Sequence, residues 1–270
     1  MFNPAMASTG VEAWTLINAN HRLASTFYAR ASPNSSITHL PGALAVHSGL
    51  NATSFNLASL TTPSPGLAGT LHNLTNHYDR LGTGSALWVC EQLAPDLSML
   101  TLEDHGYEYQ QSVPGMLAEH FVPCRRSLPP HISIRTVETK SDALVFAHLV
   151  SIIFHVPFPT ARSIYANPFA WRTPVYGFLA YREKEPVGCA MVAVADGVAG
   201  FYSVGIISSH RGHGYGEKLM RAAFDFSQRE LSCEIAVLQS SPAGRKLYDK
   251  LGFREQTRFT IFNRHSVGRR

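Results

Sequence analysis

Six consecutive residues, Arg211, Gly212, His213, Gly214, Tyr215 and Gly216, carry the densest chemical signal in this chain of 270 residues. Three glycines let the backbone turn tightly and approach a ligand with no Cβ atoms in the way. Where such a turn opens a helix, successive N–H groups point into one concavity at the positive end of the helix dipole. A phosphate or pyrophosphate is the natural occupant. Arg211 either adds a side-chain contact or stands as a solvated turn residue. A P-loop would need Gly-Lys-Ser/Thr, but Gly216 is followed by Glu217 and Lys218. A dinucleotide fingerprint would need G-x-G-x-x-G and an acidic residue ending the next strand; here the spacing is G-x-G-x-G and that strand ends at Gln239.

The flanking residues supply the elements that must hold such a turn. Phe201, Tyr202, Val204, Ile206 and Ile207 form an apolar, β-branched run that reads as a buried strand. After the polar turn at residues 208–210 and the glycines, residues 217–230 carry apolar positions at 219, 220, 223, 224 and 226, the spacing of an amphipathic helix. Residues 241–253, SPAGRKLYDKLGF, read as a short helix with Ser241 as N-cap, Pro242 at its first position and Gly252 at its stop.

These two segments resemble the signatures of the GNAT superfamily of acetyl-CoA-dependent N-acetyltransferases. Residues 211–216 match R/Q-x-x-G-x-G/A, the superfamily's pyrophosphate-binding turn. About 30 residues later, residues 241–253 resemble N-x-x-A-x-x-L-Y-x-K-x-G-F, departing at Ser241, where Asn is usual, and at Gly244, where Ala is usual. The resemblance implies a GNAT-like α+β fold with a mixed sheet in the C-terminal domain, and acetyl transfer from acetyl-CoA to a primary amine by direct attack. It places the pyrophosphate on the backbone from Arg211 to Gly216 and the pantetheine arm along Ile206, Ile207 and Ser208, with Ser241 among the cofactor contacts. The central strand and its successor would splay apart, and Gly205 would suit a bulge there or admit a neighbouring side chain. A backbone N–H near Ile206 would serve the oxyanion, and Tyr248 matches the motif position of the general acid for the departing thiolate. A general base is less legible. No carboxylate stands in residues 201–207, Ser203 and Tyr202 being the only polar side chains; Glu234 starts the next parallel strand at its wrong end. His148 and His155 read as structural, and a water chain would serve without a dedicated base.

At 270 residues the chain suits two domains. We read residues 1–124 as an accessory α+β domain and 131–270 as the GNAT-like domain, joined by a polar linker ending in Pro129-Pro130. The first half carries no phosphate turn. Its close, Leu102-Glu103-Asp104-His105-Gly106-Tyr107 and then Pro114-Gly115-Met116, resembles the end of a degenerate GNAT-like N-terminal half of two-domain members; an unrelated α+β domain is the alternative. A helix is expected over residues 9–29 with Ser8 or Thr9 as cap, strands and turns over 37–60, helices over 67–81 and 97–105, and a strand over 86–90. In the second half, residues 131–137 read as a strand and Ser141 or Asp142 as the cap of a helix through Phe154. Residues 157–174 read as an irregular cover, 176–181 and 187–195 as a strand pair, and 257–263 as the closing strand.

A net charge of +4 with thirteen neutral histidines suits an anionic cofactor and is too small to argue for nucleic acid. Basic residues at 264–270 read as a solvated tail. Four dispersed cysteines without C-x-x-C spacing argue against a metal site or a disulfide framework and for a reducing, cytoplasmic setting. No apolar stretch reaches a membrane span of ~20 residues, and no secretion signal is visible. The expected partner is a small-molecule or peptide amine, with the protein a monomer or homodimer. Competing readings are a non-catalytic acetyl-CoA-binding module and a transferase using a longer acyl donor.

Overall fold

Strand-forming runs from both halves of the chain meet in one mixed sheet. The computed structural model describes residues 12–30, 32–63, 66–124 and 127–266. The strands are β1 (Ser36–Leu40), β2 (Ala43–His47), β3 (Leu57–Leu60), β4 (Ser85–Cys90), β5 (Glu108–Ala118), β6 (Ile132–Thr136), β7 (Val175–Arg182), β8 (Glu185–Ala195), β9 (Val198–Ile206), β10 (Ile235–Gln239) and β11 (Arg254–Arg264). They hydrogen-bond in the order β1-β2-β3-β4-β11-β5-β10-β9-β8-β7-β6. The helices are α1 (Ala13–Ser25), α2 (Leu67–Leu81), α3 (Met99–Asp104), α4 (Lys140–Phe154), α5 (Phe158–Tyr165), α6 (Tyr215–Leu231) and α7 (Arg245–Leu251).

The order explains how two halves make one sheet. In each, an antiparallel hairpin and a third strand lead through a helix to a strand parallel to that third one: β3 and β4 across α2, β9 and β10 across α6. Each half then sends its last strand into the other's territory. β5 pairs antiparallel with β10, while β11 pairs antiparallel with β4, and the two exchanged strands pair with each other. Fold repetition without a repeated phosphate turn is what a degenerate GNAT-like first half predicts.

α6 buries Tyr215, Leu219, Met220, Ala223 and Phe224 on one face of this sheet. On the opposite face α4 and α5 pack over Cys189, Met191 and Ala193 of β8. α1 comes from the first half but lies across β8 and β9. Its Asn20 donates to the carbonyls of Ala193 at 3.1 Å and Val198 at 3.2 Å and accepts from the Tyr202 hydroxyl at 2.8 Å. Gly200 makes this approach feasible, since a Cβ there would lie 1.8 Å from Asn20 Oδ1.

Local chemistry sets several boundaries differently from the sequence expectation. The first helix is α-helical only over α1 and tightens to a 3₁₀ turn at Thr26–Arg30; the expected caps Ser8 and Thr9 lie outside the described residues. Thr139, not Ser141 or Asp142, caps α4, because Asp142 at the third helical position completes a reciprocal capping box with it. The segment before α7 starts as a turn: the Ser241 hydroxyl accepts from the Gly244 amide at 3.3 Å, and helix begins only at Arg245. Ser241 therefore caps the turn and not the helix. Arg264 is no tail residue. It ends β11, 6% exposed, and donates a bidentate pair to Asp79 of α2 at 2.7 and 2.8 Å; residues 267–270 lie outside the described ones.

Candidate active site

The site forms where β9 parts from β10. Parallel pairing runs from Val198 opposite Ile235 to Phe201 opposite Leu238, and there it stops. Gln239 pairs with Gly115 of β5 instead, so residues 202–206 of β9 have no partner in β10. On its other flank β9 bulges: Ser203 and Val204 stand opposite the single residue Ala190, and Ser203 takes a left-handed φ of 48°. The sequence pointed to a bulge at Gly205; the distortion falls just before it. Gly205 serves its alternative role, admitting side chains of α4, since a Cβ there would meet Ile153 Cγ2 at 2.4 Å and Phe154 Cζ at 3.1 Å.

Beyond β9 a 3₁₀ turn, Ser208–His210, leads into the glycines. Gly212 and Gly214 hold φ of 82° and 81°, which L side chains rarely adopt, and Gly214 is the N-cap of α6 with no side chain to cap it. Among the described residues, no protein acceptor takes the amides of Gly212, His213, Gly214, Tyr215 or Gly216; the first helical bond runs from the Lys218 amide to Gly214 O at 3.1 Å. The turn is thus a cradle of unspent N–H donors. Arg211 is exposed at the wall of the cleft, and its Nε donates to Ile206 O at 3.0 Å, which ties the turn to the strand end. The Ile207 amide is likewise spent, on Val187 O at 2.9 Å.

A cleft of about 670 Å³ runs from this cradle into the splay. Ile206, Arg211, Gly212, Gly214, Tyr215, Gly216, Ser241 and Tyr248 line it; Ile207, Ser208 and His213 do not. Tyr248 is 7% exposed, and among the described residues its hydroxyl has no hydrogen-bond partner. Burial pushes its phenol up to about 12, so it holds its proton across the physiological range. Gly244 is small for this tyrosine's sake, because a Cβ there would lie 2.6 Å from Tyr248 Cε2.

Other lining residues carried no sequence signal of their own. Ile153 and Phe154 come from the end of α4, a helix whose packing on β9 only tertiary structure reveals. Glu217, in the first turn of α6, is 2% exposed and binds Arg221 at 3.1 Å, Lys250 of α7 and the Cys124 thiol at 3.3 Å. Burial alone would raise its carboxyl, but hydrogen bonds from Lys250, Cys124 and Arg221 outweigh it and hold the group below the usual carboxylate range. His148 and His155 are exposed and line no part of the cleft: His148 stacks on Phe158, ring centroids 4.0 Å apart, and His155 is the left-handed C-cap of α4. Glu234 lies exposed before β10, next to Gly197 at the strand's opposite end. Among the described residues no cluster of histidine, cysteine or carboxylate suits a metal ion, and no helix is long and apolar enough to cross a membrane.

A sheet split behind a bulged strand, with free helix-opening amides at one end of the gap and a protonated tyrosine along it, makes a cleft suited to an anionic cofactor. Residues 145–253 match the model of the Acetyltransferase (GNAT) family. The whole fold is similar to that of a GCN5-related N-acetyltransferase from Kribbella flavida, with a TM-score of 0.71 at 15% identity over 92% of this chain and 95% of that one. A GNAT-family acetyltransferase structure from Novosphingobium aromaticivorans aligns with a TM-score of 0.57 at 16% identity, covering 92% and 97%. A tandem GNAT protein from the clavulanic acid biosynthesis pathway aligns at 0.56 and 14%, covering 89% and 86%. No curated protein matches the sequence.

Proposed function

We propose that this protein transfers an acetyl group from acetyl-CoA to a primary amine of a small molecule or peptide. The observation that carries the reading is the row of unspent amides at residues 212–216 opening on a cleft that reaches Tyr248. Those amides suit a pyrophosphate, and the unpaired edge of β9 offers main-chain groups to an extended amide-bearing arm. Acetyl-CoA, when bound, supplies an activated thioester carbonyl. Arg211 keeps the turn in register, and Tyr248 holds a proton where a leaving thiolate can take it. No side chain on β9 can act as a carboxylate base, so the amine is delivered neutral, through water or from solution. The division of the chain into residues 1–124 and 131–270, and a reducing, cytoplasmic setting for its four free cysteines, belong to the same proposal.

Calorimetry with acetyl-CoA tests the reading. Wild-type protein is expected to bind. Gly214→Val, which forces a β-branched residue to a φ of 81°, should weaken binding at least about tenfold. Tyr248→Phe should leave binding intact and lower turnover by about 10²-fold or more, the span of general-acid catalysis. Absence of binding by the wild-type protein would overturn the proposal. One observation favours a second reading, a non-catalytic acetyl-CoA-binding module: no carboxylate stands near the splay to deprotonate an amine. Binding without thiol release across a broad amine panel would select it.

A further inference from the structure

The cleft has two chemically different ends. Around the glycine turn it is cationic, with Arg211, Lys246 and Lys250 in its wall. Along the strand end the wall becomes Ile153, Phe154, Val204 and Gly205. Phe154 is 41% exposed and its ring lies over Gly205, which puts it at the mouth through which an acceptor reaches the splay.

What this end lacks is as telling as what lines it. Among the described residues lining the cleft, Glu217 is the one carboxylate, and it is held by Arg221 and Lys250 at the first turn of α6. No Asp or Glu occurs between Glu12 and Asp79, or between Asp142 and Glu183. Those stretches supply α1, nearly all of α4, and α5, the helices that pack on this face of β8 and β9. β9 itself contains none, and Glu185 on β8 faces His210 at 3.5 Å, toward the glycine turn.

We propose, on the reading of this cleft as an acetyl-CoA site, that the acceptor is a monoamine with an apolar or aromatic body and no second cation. A second ammonium entering between Phe154 and Val204 would lose its hydration and find no anion to replace it. A methyl or aryl group in the same place meets Ile153, Phe154 and Val204. Polyamines, aminoglycosides and lysine-rich peptides are selected against by the same argument.

A matched pair of acceptors tests this: para-methylbenzylamine against para-xylylenediamine, the same frame with a second ammonium. With acetyl-CoA and wild-type protein, thiol release should show a kcat/KM for the monoamine at least about tenfold higher. Calorimetric binding of the two amines to protein saturated with coenzyme A should follow the same order. Phe154→Glu, at an exposed position, should narrow the ratio by about tenfold by giving the second ammonium a partner. Equal or preferential use of the diamine, or turnover of neither amine by protein that binds acetyl-CoA, overturns the inference; failure to bind acetyl-CoA overturns the cofactor reading instead. The wild-type comparison is decisive whether or not the variant folds.

Discussion

Burial pushes the Tyr248 phenol up to about 12, so it keeps its proton across the physiological range and is the group proposed to protonate a leaving thiolate. With no carboxylate base on β9, the fraction of neutral amine should set the acidic limb of the rate profile. For two acceptors of different basicity, the limb in kcat/KM is expected to move by the difference between their pKa values; a limb at one fixed pH for both would reveal an enzyme base. Glu217 makes a second residue-level prediction. Its folded carboxyl sits below the ordinary value of 4.5, so the stability it supplies is complete above that value and is lost as pH falls through the depressed one. Glu217→Gln should cost about 1.5–3 kcal/mol near neutral pH in urea unfolding, the worth of hydrogen bonds to a charged group. The gap between variant and wild type should narrow in acid.

At the scale of elements, the contact of α1 with β9 ties the first half to the second. Gly200 and Asn20 share one space, and Asn20 meets two carbonyls and a hydroxyl there. Gly200→Ala is expected to destabilise by about 1–3 kcal/mol through overpacking, and Asn20→Ala by about 1–3 kcal/mol through unpaired buried groups. In the double variant the clash with Asn20 disappears and only the 2.8 Å approach to Tyr202 Cε2 stays, so its cost should fall short of the sum; additive costs in a thermal-unfolding cycle would refute the shared-space account. The periodicity of α6 and the punctuation of the strands were plain in the sequence, and α2 falls where its spacing predicts. Caps were harder to place. Thr139 wins over Ser141 and Asp142 because it alone is served reciprocally, which depends on backbone geometry rather than residue type.

At the scale of the whole molecule, the exchanged strands make each half incomplete. Without residues 108–118 the flank of β10 loses its neighbour, and without β11 the flank of β4 does. The Arg264–Asp79 pair adds a polar tie across the same junction. Residues 127–270 expressed alone should therefore expose an unpaired sheet edge, aggregate, and fail to bind acetyl-CoA. Co-expression with residues 1–124 should restore a soluble complex that binds it. A soluble, acetyl-CoA-binding fragment of residues 127–270 would show that the exchange is dispensable.

The backbone geometry of the turn was legible in six residues, because φ above zero, as at Gly212 and Gly214, admits few side chains besides hydrogen. Tyr248 and the strand-turn-helix order around the glycines were equally local, and motif spacing was enough to find them. Only the tertiary structure decided that Gly205 makes room for α4, that Ser203 carries the bulge, that Arg211 braces the strand end, and that Ile153 and Phe154 line the cleft. It alone decided the strand exchange as well. Strand partners and facing side chains depend on residues far apart in the chain, and periodicity records which face of a strand is buried without recording what buries it.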